Sequence, residues 1–288
     1  DIPIFIAHDS SDVWSHPDLF FLDKNGRPSV VAGVPPDYFS PTGQRWGNPL
    51  YRWRVHKADG YQWWLKRTHA ILEMVDIARL DHFRGFAAYW EVPGKAKTAE
   101  KGRWVRGPGR HFFQALQDAL GELPVIAEDL GVITPDVEAL RRRFDLPGMK
   151  ILQFSFAGSP DDPFLPHNYP KECVVYTGTH DNDTARGWYE RVSEEERDFY
   201  RRYLDRSGEN VAWDLIRASW ASVAVLALAP LQDFLNLGNE ARMNYPGNPS
   251  GNWTWRMPAD ALQDDLAQRI RELNDLYGRV PKASQAEA

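Results

Sequence analysis

Short apolar runs that end in carboxylates recur along this chain, and no other feature constrains its fold as tightly. The run Ile71 to Ile77 leads into Arg79-Leu80-Asp81-His82-Phe83-Arg84-Gly85-Phe86. Pro124-Val125-Ile126-Ala127 runs into Glu128-Asp129, and Cys173-Val174-Val175-Tyr176 leads to His180-Asp181-Asn182-Asp183. Brief apolar runs bounded by turn residues read as buried strands. Between them lie stretches of helical period, and strand alternating with helix predicts a parallel sheet with crossover helices. In a barrel of such units the catalytic groups sit at the C-terminal strand ends, where these carboxylates fall.

Strands are expected near residues 3, 77, 125, 150, 174 and 227. A closed barrel has eight, and an open sheet of six would leave two bare edges. The expectation is therefore an α/β fold, an incomplete TIM (β/α)8-type barrel: residues 1–288 form the C-terminal portion of a longer catalytic barrel. Residues 24–50 and 87–109 read as loop insertions, because Gly and Pro crowd them and no helical period runs through them. Helices are expected at Tyr61 to Asp76, around Phe113 to Leu120 with Gly121 as the stop, and from Thr134-Pro135 to Phe144. Others are expected from the capping box Ser193-Glu194-Glu195-Glu196 through Leu204, around Trp213 to Trp220, and from Ala259 to Tyr277. Strands are expected over Pro3 to Ala7, Met149 to Phe156 and Ala224 to Leu231, a loop over Asn244 to Trp255, and a frayed tail at 283–288.

Composition narrows the partner. The chain carries 12 Trp, 11 Tyr and 14 Phe, many of them in Gly/Pro-rich stretches. Aromatic rings in loops offer stacking faces for flat ligands, sugars or bases. A net charge of −6 lacks the positive footprint that nucleic acid requires, which favours sugar. The longest membrane-like run, Val223 to Leu231, is far short of the ~20 residues a span needs. Cys173 is the one cysteine, so no internal disulfide forms, as in the cytoplasm. No Gly-x-Gly-x-x-Gly or Walker-type loop is present.

Glycoside cleavage uses two carboxyl groups, one to attack or to activate water and one to protonate the leaving oxygen. Asp81, Glu128 and Asp181 supply three. Arg79, two residues before Asp81, shares its face of the strand and is placed to keep it ionised and oriented. The apolar run before Glu128 should raise its pKa, as a general acid requires. Each residue also has a plainer reading: Asp81 as a helix cap or ion-pair partner, Glu128 as a solvated loop start. His180-Asp181-Asn182-Asp183 begins like a calcium loop, but Arg186 and Val192 stand where that loop needs Gly and Glu. The three clusters together are much harder to explain that way than any one of them.

These residues resemble the amylomaltase (4-α-glucanotransferase) family of α-amylase-like barrels. The most specific pieces are Arg79 to Gly85, Ala127-Glu128-Asp129-Leu130-Gly131 and Gly178 to Asp183. The stretch from Gly33-Val34-Pro35-Pro36 through Gly47-Asn48-Pro49 and the run Pro246 to Trp253 are also typical. The resemblance implies Asp81 as nucleophile, Glu128 as acid/base and Asp181 as transition-state stabiliser. Arg79 would orient Asp81, and His82 and His180 would bind sugar hydroxyls. Tyr38, Phe39, Gln44 and Trp46 would cover the groove and hold the acceptor, with Asn244, Pro246 and Asn248 near the donor. It implies retaining transfer of α-1,4-glucan segments between malto-oligosaccharides, amylose or glycogen and a glucan or glucose acceptor, with no cofactor, metal, nucleic acid or membrane. The sequence departs from the family in lacking a portion of roughly two strands with inserted subdomains. Two rivals remain: a glucan hydrolase using the same carboxylates, and a non-catalytic glucan-binding module.

Overall fold

In the first of two units, Asp1–Gly148, antiparallel and parallel strands are kept apart. The computed structural model describes residues 1–36, 40–248 and 250–280. After α1 (Ser11–Ser15) come β1 (Val30–Val34) and β2 (Gln44–Pro49), then α2 (Trp53–Ala58) and α3 (Gln62–Leu72). They are followed by β3 (Ala78–Leu80), α4 (Arg84–Ala87), β4 (Ala88–Pro93) and β5 (Arg103–Arg106). The unit closes with α5 (Arg110–Leu120), β6 (Val125–Ala127) and α6 (Pro135–Arg143). Strands β3 and β6 pair in parallel, with Leu80 opposite Ala127.

The regions expected as loop insertions hold a four-stranded antiparallel sheet, ordered β2-β1-β4-β5. Its edge strands bury few side chains, so they carry no alternation of apolar and polar residues that sequence could reveal. Ladders to the central strands, Val34 opposite Gln44 and Trp90 opposite Trp104, define them instead. At the chain start the expected strand shrinks to a parallel bridge between Ile2 and Leu80. Pro3 has no N–H to extend it. Ile4 is nevertheless buried, and its carbonyl accepts from the Tyr51 hydroxyl at 2.8 Å.

The aromatic residues expected in loops divide between core and surface: Tyr89 is buried, whereas Trp46 and Trp104 stay exposed, and the core draws instead on the helices and the segment after β3. Phe83, Phe86, Phe112, Phe113 and Trp64 are fully buried in one cluster. Phe86 stacks on Phe112 at 4.9 Å between ring centres. Burial of each such ring contributes about 1.5–3 kcal/mol. This cluster backs the segment that follows β3.

The second unit, Met149–Ala288, has β7 (Gly148–Ile151), which begins at the boundary, and β8 (Cys173–Tyr176). Next come α7 (Ala185–Arg191), α8 (Glu194–Leu204), α9 (Val211–Ala221), β9 (Leu226–Leu228), α10 (Leu231–Phe234) and α11 (Asp264–Leu276). The sheet order is β7-β8-β9, with Val175 opposite Ala227 in parallel. The capping box forms: Ser193 Oγ accepts from Glu196 N, and Glu196 accepts from Ser193 N. Two expected strands are shorter, because a 3-10 turn at Leu152–Phe154 ends one and Pro230 leads the other into α10. α11 starts five residues after Ala259, with Gln263 as its cap. Arg279 ties the C-terminal end down by donating to the carbonyls of Trp220, Ser222 and Ala224. The expected tail, 283–288, lies outside the described residues.

Candidate active site

The pairing of β3 with β6 sets the first half of the site. Leu80 lies opposite Ala127, so Asp81 and Glu128 are the next residues on two adjacent parallel strands. Glu128 N donates to Leu80 O at 3.0 Å, and Asp81 N to Ile2 O at 3.1 Å. Adjacent strands run ~4.8 Å apart, so the two carboxyl-bearing residues stand side by side.

Each carboxyl group has a different environment. Arg79 Nη1 reaches Asp81 Oδ1 at 2.9 Å and Asp1 Oδ2 at 3.2 Å. The guanidinium is nearly enclosed and the Asp81 side chain 43% exposed, so the donor is fixed while the acceptor faces open space. Glu128 Oε2 accepts from His82 N at 2.7 Å and Oε1 from Leu130 N at 2.9 Å. Burial pushes the Glu128 carboxyl up to about 7; Arg79 opposes this, Asp81 adds to it, and the two peptide N–H groups oppose it. The direction is the one predicted from the apolar run before Glu128.

His82 adopts a left-handed backbone, φ 50°, which turns the chain off β3. Its ring lies edge-on to Trp46 with centres 4.8 Å apart. Burial lowers His82 to about 4, against the pull of Asp81, so it is a neutral imidazole near neutral pH. Gly85 makes room for that ring: a Cβ there would stand 2.7 Å from Ile4 Cδ1 and 3.1 Å from His82 Cδ2. Trp46 Nε1 donates to Gln44 Oε1 at 3.1 Å, and Trp46 remains 38% exposed. Arg79, Asp81, His82, Glu128, Gln44 and Trp46 thus form one connected group. Tyr38 and Phe39 lie outside the described residues.

The second unit holds its own polar group. Asn244 Nδ2 donates to Asp181 Oδ1 at 2.6 Å, and Asn244 N to His180 O at 3.0 Å. His180 Nε2 is 3.4 Å from Asp181 Oδ2, and its ring lies 5.2 Å from that of Trp253. Pro246 and Asn248 sit in an exposed turn, where Asn248 N bonds Tyr245 O and Asn248 O accepts from Asn252 Nδ2. Among the described residues neither bonds to Asp181 or His180.

Sequence reasoning missed Arg242. It donates to the Asp181 carbonyl at 2.6 Å and the Asn244 carbonyl at 2.8 Å, pairs with Asp183, and stacks over Tyr245 at 4.2 Å. A lone arginine in a polar stretch carries no periodic signal. Asp233 was missed too: it is fully buried, accepting from Thr177 Oγ1 at 2.5 Å and Ala185 N at 2.7 Å. It anchors the segment between β8 and α7 that carries His180 and Asp181.

Two carboxyl groups at neighbouring parallel strand ends, one oriented by arginine and one raised toward neutral, define a constellation suited to handling glycosidic bonds. The chain belongs to the 4-alpha-glucanotransferase family, whose sequence profile matches residues 1–262. The 4-alpha-glucanotransferase of Thermus thermophilus is 56% identical over 288 aligned residues, covering 97% of this chain and 58% of that protein. That of Synechocystis is 54% identical over 283, covering 97% and 56%. The solved amylomaltase from Streptococcus agalactiae in complex with acarbose superposes with a TM-score of 0.93 at 38% identity, over 97% of this chain and 57% of that one. The present chain therefore spans little more than half the length of these relatives. No described helix is long and apolar enough to cross a membrane.

Proposed function

We propose that this protein is a 4-α-glucanotransferase that moves α-1,4-glucan segments by retaining double displacement. The observation that carries this reading is the side-by-side placement of Asp81 and Glu128. Retaining enzymes hold their carboxyl groups ~5–5.5 Å apart, and adjacent strands generally run ~4.8 Å apart, so residues on neighbouring strand ends are suited to such a separation. Asp81, oriented by Arg79, attacks the anomeric carbon as the C1–O bond to the leaving glucan breaks. Glu128, protonated near neutral pH by virtue of its burial, delivers its proton to that oxygen. A covalent glycosyl ester on Asp81 results. Glu128 then takes the proton from the 4-hydroxyl of an acceptor glucan, whose oxygen attacks C1 and releases Asp81.

To Asp181 we assign stabilisation of positive charge at the reacting carbon, supported by the hold of Asn244 on its carboxylate. His82 and His180 bind sugar hydroxyls, and Trp46 with Gln44 forms a face for the acceptor. The glucan substrate class is supported by the family and by the acarbose bound to the S. agalactiae amylomaltase. The parallel pairs β3–β6 and β8–β9 are read as parts of a (β/α)8-type barrel, supported by the likeness to that amylomaltase. Cytoplasmic residence belongs to the same reading, supported by a single cysteine, buried in β8.

The test is incubation with maltotriose followed by chromatography. Products longer than maltotriose together with glucose or maltose are expected. If only shorter sugars form, hydrolysis replaces transfer as the function. If maltotriose stays intact while glucan is retained on a binding column, the chain is a binding module.

A further inference from the structure

Away from the carboxylate pair, the first unit gathers positive charge around a built cleft. Arg54 and Lys57 of α2, Arg106 at the end of β5, and Arg110 and His111 opening α5 line a cavity of about 640 Å³. Trp53 and Tyr61 supply its apolar wall. None of the four Lys and Arg side chains pairs with a carboxylate among the described residues. Asp136 lies in a neighbouring depression that Arg106 and Arg110 also border, but its carboxyl is engaged by Thr134 and attracted by Arg84. The excess charge is felt locally: Lys57 first, then burial, Arg110 and Arg106 hold His111 below the ordinary imidazole range.

The backbone adds to the same field. Gly107-Pro108-Gly109 joins β5 to α5, and Gly109, φ 56°, caps the helix without a side chain. No acidic residue stands in the first turn of α5, so its positive end is uncompensated. The loop is held in place: Gly107 N donates to Ala87 O at 2.8 Å and Gly109 N to Phe86 O at 2.9 Å. A Cβ on Gly107 would strike Phe86 O at 2.3 Å, so the close approach requires glycine. Converging cations on a fixed frame are mutually repulsive when empty, and an oxyanion relieves that repulsion. Guanidinium forks match the oxygens of phosphate.

We propose that this cleft binds a phosphate dianion, either inorganic or carried as a monoester on a sugar. Arg106 and Arg110 grip its oxygens, and Lys57 and Arg54 balance its charge beside the positive N-terminal end of α5. The site is separate from the Asp81–Glu128 pair and does not depend on the transfer reaction.

Isothermal titration of the full chain with inorganic phosphate, at low ionic strength and about pH 7.5, tests this, since phosphate is then mainly dianionic. One saturable site is expected, weakened at least ~10-fold by Arg110→Glu and less by Lys57→Ala. Arg271→Glu, an equal charge change on exposed α11, should leave it unchanged. Circular dichroism establishes that each variant is folded. Glucose 1-phosphate, with glucose as neutral control, separates the sources: tighter binding of the ester assigns the site to a phosphorylated sugar, equal binding to free phosphate. Absence of saturable heat up to ~10 mM phosphate, or an equal loss in Arg271→Glu, overturns the proposal.

Discussion

The backbone N–H of His82 donates to Glu128 Oε2 at 2.7 Å, which ties the residue after one carboxylate to the other carboxylate. This bond, with that from Leu130 N, opposes the upward push of burial on the Glu128 carboxyl and leaves it near neutrality. The group is therefore balanced between acid and base, as double displacement demands of a residue that must do both.

With Glu128 in the proposed acid role, glucan transfer should decline as pH rises through about 7, where its carboxyl loses its proton. A pH profile of kcat/KM for maltotriose disproportionation should show that limb. Glu128→Gln should lower the rate by ~10²–10⁴-fold. Rate with a glycosyl fluoride donor, whose leaving group needs no proton, should suffer less in the first step. An unchanged profile in Glu128→Gln would remove Glu128 from the acid/base role.

Arg79 acts on both carboxylates in different ways. It pairs with Asp81 and lowers the Glu128 pKa. Arg79→Met should therefore cut kcat by about 10–100-fold through loss of Asp81 orientation and also move the basic limb above 7. The second readout distinguishes positioning from simple loss of stability, which would not shift the limb.

Trp46 presents an exposed indole face and meets His82 edge-on. Trp46→Ala should raise the acceptor KM by about 3–10-fold, the factor expected for losing one aromatic contact. It should also divert the glycosyl intermediate toward water. Glucose release per transfer event, measured from maltotriose, should rise, and Trp46→Phe should recover part of the loss.

His56 is fully buried between Tyr51 and Trp63, and burial lowers it from 6.5 to about 4. Below pH 6.5 the unfolded imidazole binds a proton that the folded one refuses until pH reaches about 4. Stability should therefore fall as pH drops through that window, by up to about 2–3 kcal/mol from this residue. Urea titrations of wild type and His56→Phe should converge or cross between pH 6.5 and 4, with the variant losing less. Parallel curves would show that the acid loss arises elsewhere, His82 being the next candidate.

Much of the candidate site is legible in local sequence because each carboxylate ends a short apolar run. Arg79-Leu80-Asp81 states its own geometry, since alternate residues on a strand share a face, and the ion pair forms as that spacing requires. The raised Glu128 follows in the same way from Val125-Ile126-Ala127. Ser193 and Glu196 give up their capping box to a reading of four residues. In contrast, β2 and β5 were read as loop because edge strands with exposed side chains leave no periodic pattern. Arg242 was invisible because its partners, Asp181 and Asp183, stand some sixty residues away.

Sequence by itself determined which carboxylates follow short buried strands and which strand each follows, because those depend on periods of two and on neighbours within a few positions. Only the tertiary structure decided that Leu80 lies opposite Ala127, that Glu128 receives the His82 peptide, and that Gly107-Pro108-Gly109 opens a helix beside Arg54, Lys57 and Arg106. Those are pairings between segments far apart in the chain, set by the burial of a shared aromatic core and by backbone hydrogen bonds that no local window contains.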